Sequence, residues 1–143
     1  MGRLIIISNR LPFSLDKEGD KLTLRQSSGG LVSAIKSYFE NNANKDQLKE
    51  KLWMGVADFP QEDWDQAVAS HVADQDFGVI PLYVDNGLYD NYYNGFSNSV
   101  LWPLFHYFSS LAEYDSKFFE AYVQVNQLFA EKLLPLLEPD DQV

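Results

Sequence analysis

Cysteine is absent from the 143-residue chain, which excludes a disulfide framework, a thiolate zinc site and a cysteine nucleophile. Histidine is nearly absent. His71 and His106 are the two, too few for a histidine-rich metal site. Positive charge is scarce as well: 11 Lys and Arg face 21 Asp and Glu, a net charge of −10. That balance argues against nucleic acid or an anionic membrane as a partner, since both require a basic surface. Long apolar runs are missing. Leu4-Ile5-Ile6-Ile7 falls short of the roughly 7–15 residues of a signal-peptide core and the roughly 20 of a membrane span. Ile6 stands where a myristoylation motif needs Ser or Thr, and no Asn-x-Ser/Thr sequon occurs. The reading is a soluble, cytoplasmic protein with no nucleic-acid or membrane partner.

What is present is apolar enough to fold. Hydrophobic residues make up 45% of the chain and aromatics 15%, and a chain of this length buries about 68–70% of its unfolded surface. Leu4–Ile7 reads as a strand of a parallel α/β sheet, ended by Ser8-Asn9-Arg10-Leu11-Pro12. Residues 13–26 read as a hairpin with Gly19 at its turn. Ser27-Ser28-Gly29-Gly30 opens a helix of about three turns, with Leu31, Ala34, Ile35 and Tyr38 on one face by its 3.6-residue period. Asn41 to Lys51 is a polar connection or a weak helix. Leu52–Val56 is a second strand, Pro60 starts a short helix, and Phe77–Val84 is a third strand ending at Asp85-Asn86-Gly87.

Most of the aromatic residues then fall between Tyr89 and Phe129. Residues 88–111 read as short helical pieces around a turn at Tyr92-Tyr93-Asn94-Gly95-Phe96. Ser116 to about Leu137 reads as a long amphipathic helix, with Phe118, Tyr122, Val125, Phe129 and Leu133 on one stripe. Gln142-Val143 looks like a strand cut off at its first residues. Strands alternating with helices give an α/β, Rossmann-like fold: a mostly parallel sheet flanked by helices, with an N-terminal β-hairpin.

Three features could carry chemistry. Gly29 and Gly30 sit where a helix begins, so free N–H groups of its first turn could bind an anion; they could equally make a simple turn. No G-x-G-x-x-G and no G-K-[ST] is present, which excludes a dinucleotide fingerprint and a P-loop. Arg10 lies just past the first strand, where open α/β sheets bind ligands. Its guanidinium could clamp a phosphate, or be an ordinary surface arginine. The run Tyr92 to Pro103 offers aromatic faces with polar tips, suited to a sugar ring. Phe96, Phe105, Phe108, Phe118 and Phe129 read as core. His106 reads as a hydrogen-bonded packing residue, and His71 and the acids Glu62, Asp63 and Asp65 as surface. No carboxylate pair, Ser/His/Asp order or metal-ligand spacing stands out.

Three strings go further: residues 3–12 (RLIIISNRLP), residues 28–34 (SGGLVSA) and residues 92–106 (YYNGFSNSVLWPLFH). They resemble the trehalose-6-phosphate synthases, retaining glycosyltransferases of family 20, and the resemblance spans nearly the whole chain. It implies a glycosyltransferase B fold, of which residues 1–143 are the N-terminal, acceptor-binding domain. On this expectation that domain is incomplete at its C-terminus and the nucleotide-sugar domain is absent. The implied activity is transfer of glucose from UDP-glucose to glucose 6-phosphate, with retention and without metal or cofactor. Carried over by motif, Arg10 and Tyr93 bind the acceptor phosphate and Trp102 lines the acceptor pocket. Gly29 and Gly30 lie against the donor, and Trp53 is a possible pocket-lining residue. No catalytic residue falls within the chain, so it is expected to be inactive alone. Two alternatives stay open: a non-catalytic sensor or scaffold of the same family, and a related synthase with another phosphorylated acceptor. A homo-oligomer is expected from the sheet edge left open.

Overall fold

The aliphatic run at Leu4 opens strand β1, Leu4–Arg10, which continues three residues past the apolar stretch. The computed structural model describes residues 2–41 and 50–143. Its contacts divide the chain into two units, Met1–Tyr83 with Glu138–Val143, and Val84–Leu137. Of the polar connection expected over Asn41–Lys51, residues 42–49 lie outside the described residues. No described helix is long and apolar enough to cross a membrane.

In the first unit, β1 pairs in parallel with β4, Lys51–Val56, and β4 with β5, Gly78–Leu82. The expected hairpin forms as β2, Phe13–Glu18, and β3, Lys21–Gln26. Its loop is tighter than the polar stretch implied: two residues suffice, the first being Gly19 at φ +62°, as a glycine-first two-residue hairpin loop needs. The hairpin is held by burial of Phe13, Leu15 and Leu22 with Phe59 and Ala67. Phe13, Phe59 and Trp64 stack with centroids 5.8–6.2 Å apart. Trp64 and Ala67 belong to helix α2, Gln61–Ala69, which starts at Pro60 with Glu62 and Asp63 in its first turn. These acids suit the positive end of the helix, and Asp63 also pairs with Lys17 at 3.1 Å.

Helix α1 spans Gly30–Glu40, three turns as expected, but its rotation differs. Leu31 and Tyr38 are exposed, at 64% and 47%, and Ala34 is exposed too. Phe39 is buried instead, edge-on to Trp53 at 5.8 Å and tilted against Phe77 at 5.7 Å. The wholly apolar ring of the helix turns inward, and Ile35 follows it into the same cluster.

The second unit is helical. Asp85 caps helix α3, Asn86–Asp90, by accepting the Leu88 N–H at 3.1 Å, so this stretch starts a helix rather than closing a strand. The chain continues as a π-helical segment, Asn91–Leu101, into α4, Trp102–Phe105. The turn expected at Tyr92–Phe96 is therefore helix. α4 ends in a Schellman motif: Phe108 N–H donates to Pro103 O at 2.7 Å, and Tyr107 sits at φ +63°, a position usually held by glycine. Phe105 and Phe108 do not join the core; they are 74% and 52% exposed, because α4 closes after one turn and this cap carries them outward. The long helix α5, Ser116–Leu133, is capped by Asp115 and buries Val125 of the expected stripe together with Ala121 beside it. Tyr122 meets Phe96 at 4.5 Å.

Gln142 pairs with the free edge of β1. Its N–H donates to Arg3 O at 2.9 Å, and Ile5 N–H donates to Gln142 O at 2.8 Å. An ion cluster secures it. Arg3 Nη2 and Nε reach Asp141 Oδ2 and Oδ1 at 2.6 and 3.1 Å, and the Glu138 N–H donates to Asp141 at 2.9 Å. The Asp141 side chain is 3% exposed, and the Arg3 hydrogen bonds hold its carboxyl well below the usual carboxylate range. A lowered native pKa gives stability that is fully present above the ordinary carboxylate range and is lost only as pH falls through the lowered value. We expect the Ile5 and Gln142 amides to stay protected from hydrogen exchange at pH 4, and Asp141→Asn to expose both at neutral pH. Equal protection in the two proteins would remove the clamp's role.

Candidate functional site

Arg10 is the last residue of β1, at the carboxyl end of the sheet, with an exposed side chain. Its backbone is fixed by an irregularity. Ile7 pairs with Met54 and Arg10 with Val56, so β1 carries one residue more than β4 over this step. The extra residue is absorbed by a relay in which Trp53 Nε1–H donates to Ser8 Oγ at 2.8 Å and the Ser8 hydroxyl donates to the Arg10 carbonyl at 2.6 Å. Trp53 has no exposed surface. It bears on this strand end through Ser8, from inside the cluster it forms with Phe39 and Phe77.

Gly55 completes the arrangement from the neighbouring strand. A Cβ there would stand 2.7 Å from both Arg10 C and Leu11 N, so only glycine permits this approach of β4 to the bulge. Leu11 N–H then donates to Val56 O at 3.1 Å. Neither Ser8 nor Gly55 was singled out from the sequence. A glycine inside a buried strand was the available signal for Gly55.

The hairpin returns the chain to its starting point. Ser27 N–H donates to Pro12 O at 2.8 Å, which closes the base of the hairpin and brings the approach to α1 beside the segment leaving Arg10. Gly29 lies at φ +154°, and a Cβ on Gly29 or Gly30 would meet nothing within 4 Å. The helix has no side-chain cap and no acid in its first turn. No side chain caps its first N–H groups, and the dipole there favours negative charge.

Tyr83 follows β5. Burial, with a smaller effect of Asp65, pushes its phenol up to about 12, and the hydroxyl has no hydrogen-bond partner. A phenol so placed stays protonated at any ordinary pH. A cavity of about 600 Å³ is lined by Gln26, Lys36, Phe39, Lys51, Gln75, Asp76 and Phe77. It sits at the amino ends of β4 and β5 and includes none of the candidate site residues. Among the described residues no three His, Asp or Glu side chains gather as metal ligands.

Tyr93 and Trp102 belong to the second unit. Tyr93 is half-buried and stacks on Tyr89 at 5.6 Å and 19°. Burial raises the phenol of its neighbour Tyr92 above the usual range, with smaller contributions from nearby tyrosines. Trp102 is 51% exposed and lies parallel to His106, 4.1 Å away, with Phe108 at 6.5 Å. His106 Nδ1 donates to the Trp102 carbonyl at 2.8 Å, so this exposed ring is hydrogen-bonded and stacked rather than buried. The structure thus joins Arg10, Trp53 and the Gly29–Gly30 helix start in one unit, and Tyr93 and Trp102 in the other.

The glycosyltransferase family 20 model matches residues 2–143. An alpha,alpha-trehalose-phosphate synthase (UDP-forming) A of Dictyostelium discoideum is 36% identical over 99% of this chain and 18% of its own length. A solved alpha,alpha-trehalose-phosphate synthase (UDP-forming) from Burkholderia xenovorans, in complex with glucose-6-phosphate, is 30% identical with a TM-score of 0.64. That alignment covers 98% of this chain and 27% of the other. A solved E. coli structure bound with UDP-2-fluoro glucose is 29% identical with a TM-score of 0.65, over 98% of this chain and 26% of the other. The chain spans less than a third of the length of these relatives.

The relay and the glycine contact predict separable costs. Trp53→Phe keeps the ring cluster but deletes the donor to Ser8, and should lower stability by about 2 kcal/mol. Gly55→Ala should cost about 1–3 kcal/mol by overpacking and should also move the Arg10 and Leu11 amide resonances. Urea unfolding and amide spectra check both. An unshifted Arg10 amide in Gly55→Ala would show that the close approach is not what fixes the strand end.

Proposed function

The chain belongs to glycosyltransferase family 20, and from that premise we propose that it is the acceptor-binding part of a UDP-forming trehalose-6-phosphate synthase. The reaction is transfer of glucose from UDP-glucose to glucose 6-phosphate with retention at the anomeric carbon. The whole chain, residues 1–143, acts as the N-terminal, Rossmann-like acceptor domain of a cytoplasmic enzyme. The observation that carries this reading is the fixed strand end bearing Arg10 beside an uncapped helix start at Gly29–Gly30. A chain with net charge −10 repels a phosphorylated sugar unless positive groups are concentrated locally.

On this reading each residue takes the role that its motif implies. The Arg10 guanidinium offers paired N–H donors to the acceptor phosphate, and the Tyr93 hydroxyl adds a further hydrogen bond there. Trp102, half-exposed, gives an apolar face to the acceptor sugar. Gly29 and Gly30 let the donor phosphates approach the N–H groups of the first helical turn. Trp53 serves the pocket indirectly, through Ser8 and the Arg10 backbone. Retention without a metal rests on positioning and on electrostatic stabilisation of the departing UDP. We propose that residues 1–143 alone bind acceptor without turnover.

Titration of the chain with glucose 6-phosphate, followed by amide resonances, tests the reading. Shifts at Arg10, Gly29, Gly30, Tyr93 and Trp102 are expected with glucose 6-phosphate and not with glucose. Arg10→Ala should weaken the response at least tenfold, the loss of one charge-assisted hydrogen-bonded pair. A stronger response to glycerol 3-phosphate would assign a different phosphorylated acceptor, and equal responses to glucose and its phosphate would overturn the proposal.

A further inference from the structure

Residues 91–101 are wound as a π-helix over eleven residues, in a setting where π geometry is normally a single-turn bulge. The backbone shows the wider step at its end, where the Trp102 N–H donates to Ser97 O, five residues back. Two side chains repeat that step. The Ser97 hydroxyl donates to Tyr92 O at 3.1 Å and the Ser99 hydroxyl to Asn94 O at 2.7 Å, each again five residues back.

The winding changes which residues share a face. Tyr93 and Trp102 are nine residues apart, two and a half turns at the α-helical 3.6 residues per turn, and so would point to opposite sides. Hydrogen bonds closing over five residues widen the helix to about 4.4 residues per turn, and nine residues become about two full turns. The buried positions agree with the wider count. Gly95 and Val100, also five apart, are the buried residues of the segment, and a Cβ on Gly95 would stand 2.5 Å from the Phe118 ring of α5. Tyr92 and Phe96 also meet α5, through Tyr122. With that face turned to α5, Tyr93 and Trp102 fall together on the far side.

We propose that the π winding is what puts Tyr93 and Trp102 in one row, about two turns apart, so that a single phosphorylated hexose engages both. Ser97 and Ser99 are positioning residues in this arrangement. They act on the ligand only through the winding their back-bonds support. The inference rests on the assignment of Tyr93 and Trp102 to the acceptor, and goes beyond it by saying why residues at this spacing can cooperate.

A double-mutant cycle on glucose 6-phosphate affinity, read by amide titration of the chain, tests it. Tyr93→Phe and Trp102→Ala should each weaken binding, and the double variant should bind at least threefold better than the product of the two losses, because the sites share one ligand. Losses that multiply cleanly would overturn the inference while leaving the acceptor reading intact. If neither single variant weakens binding, the acceptor reading itself fails and the inference with it. The serines supply a second measurement that does not depend on removing a ring from the fold. Ser97→Ala with Ser99→Ala should weaken binding several-fold in the native background and have no further effect in Trp102→Ala. An equal loss in both backgrounds would show the hydroxyls to be merely structural, and would overturn their positioning role.

Discussion

The close approach of Gly55 to the backbone of Arg10 and Leu11 is the constraint on which the first unit's candidate site depends. Because β1 has one residue more than β4 between Ile7 and Arg10, the surplus must bulge, and a bulge unsupported on both sides would let the strand end wander. Gly55 closes one side by contact, and the Trp53–Ser8–Arg10 relay closes the other by hydrogen bonds. Bulges re-aim side chains next to functional sites, and here the residue re-aimed is Arg10, at the carboxyl end of the sheet. Placing the relay's origin on a tryptophan with no exposed surface ties the strand end to the ring cluster of Trp53, Phe39 and Phe77. The side chain of Arg10 is exposed while its backbone is held by the relay and by the Gly55 contact.

The same economy of positive charge runs through the chain. Arg3 is spent on Asp141 and Glu138, and Arg25 on Asp16. Lys17 of the hairpin pairs with Asp63. What α1 contributes instead is backbone: an N-terminus with neither a capping side chain nor an acid in its first turn, where α2 has two acids. The contrast between the two helices is what a local preference for anions at α1 requires, since acids in its first turn would already have satisfied the dipole.

Much of the fold was legible because its signals are local. Gly19 marks the hairpin, Pro60 the start of α2, and the Phe118–Leu133 stripe the buried face of α5, each by a rule that needs no knowledge of neighbours. The errors come where a neighbour decides. The inner face of α1 is chosen by Phe39 finding Trp53 and Phe77 across sequence distances that no helical period encodes. Phe105 and Phe108 look like core by composition, yet the cap at Tyr107 carries them outward. Of the candidate site, Arg10, Gly29, Gly30, Tyr93 and Trp102 were named from motif. Ser8 and Gly55 were not, because their importance lies in a one-residue mismatch between strands visible only once the strands are paired.

The segment Asn91–Leu101 is helix where a turn at Tyr92–Phe96 is expected, and its winding is the wider π step. At 3.6 residues per turn Tyr93 and Trp102 would diverge. With the wider step Gly95 and Val100 form the contact with α5, and the two aromatics align. A π-helix gives up the tighter packing of α winding, so a run of eleven residues needs support, and the support is specific. Ser97 and Ser99 bond carbonyls at the π spacing, and a glycine admits the Phe118 ring. Sequences that satisfy local rules elsewhere tend to break them at functional sites. Among the described residues, two departures from regular geometry, the β1 bulge and the π winding, fall on the strand end of Arg10 and on the helix joining Tyr93 to Trp102. Those are the residues proposed to bind the acceptor.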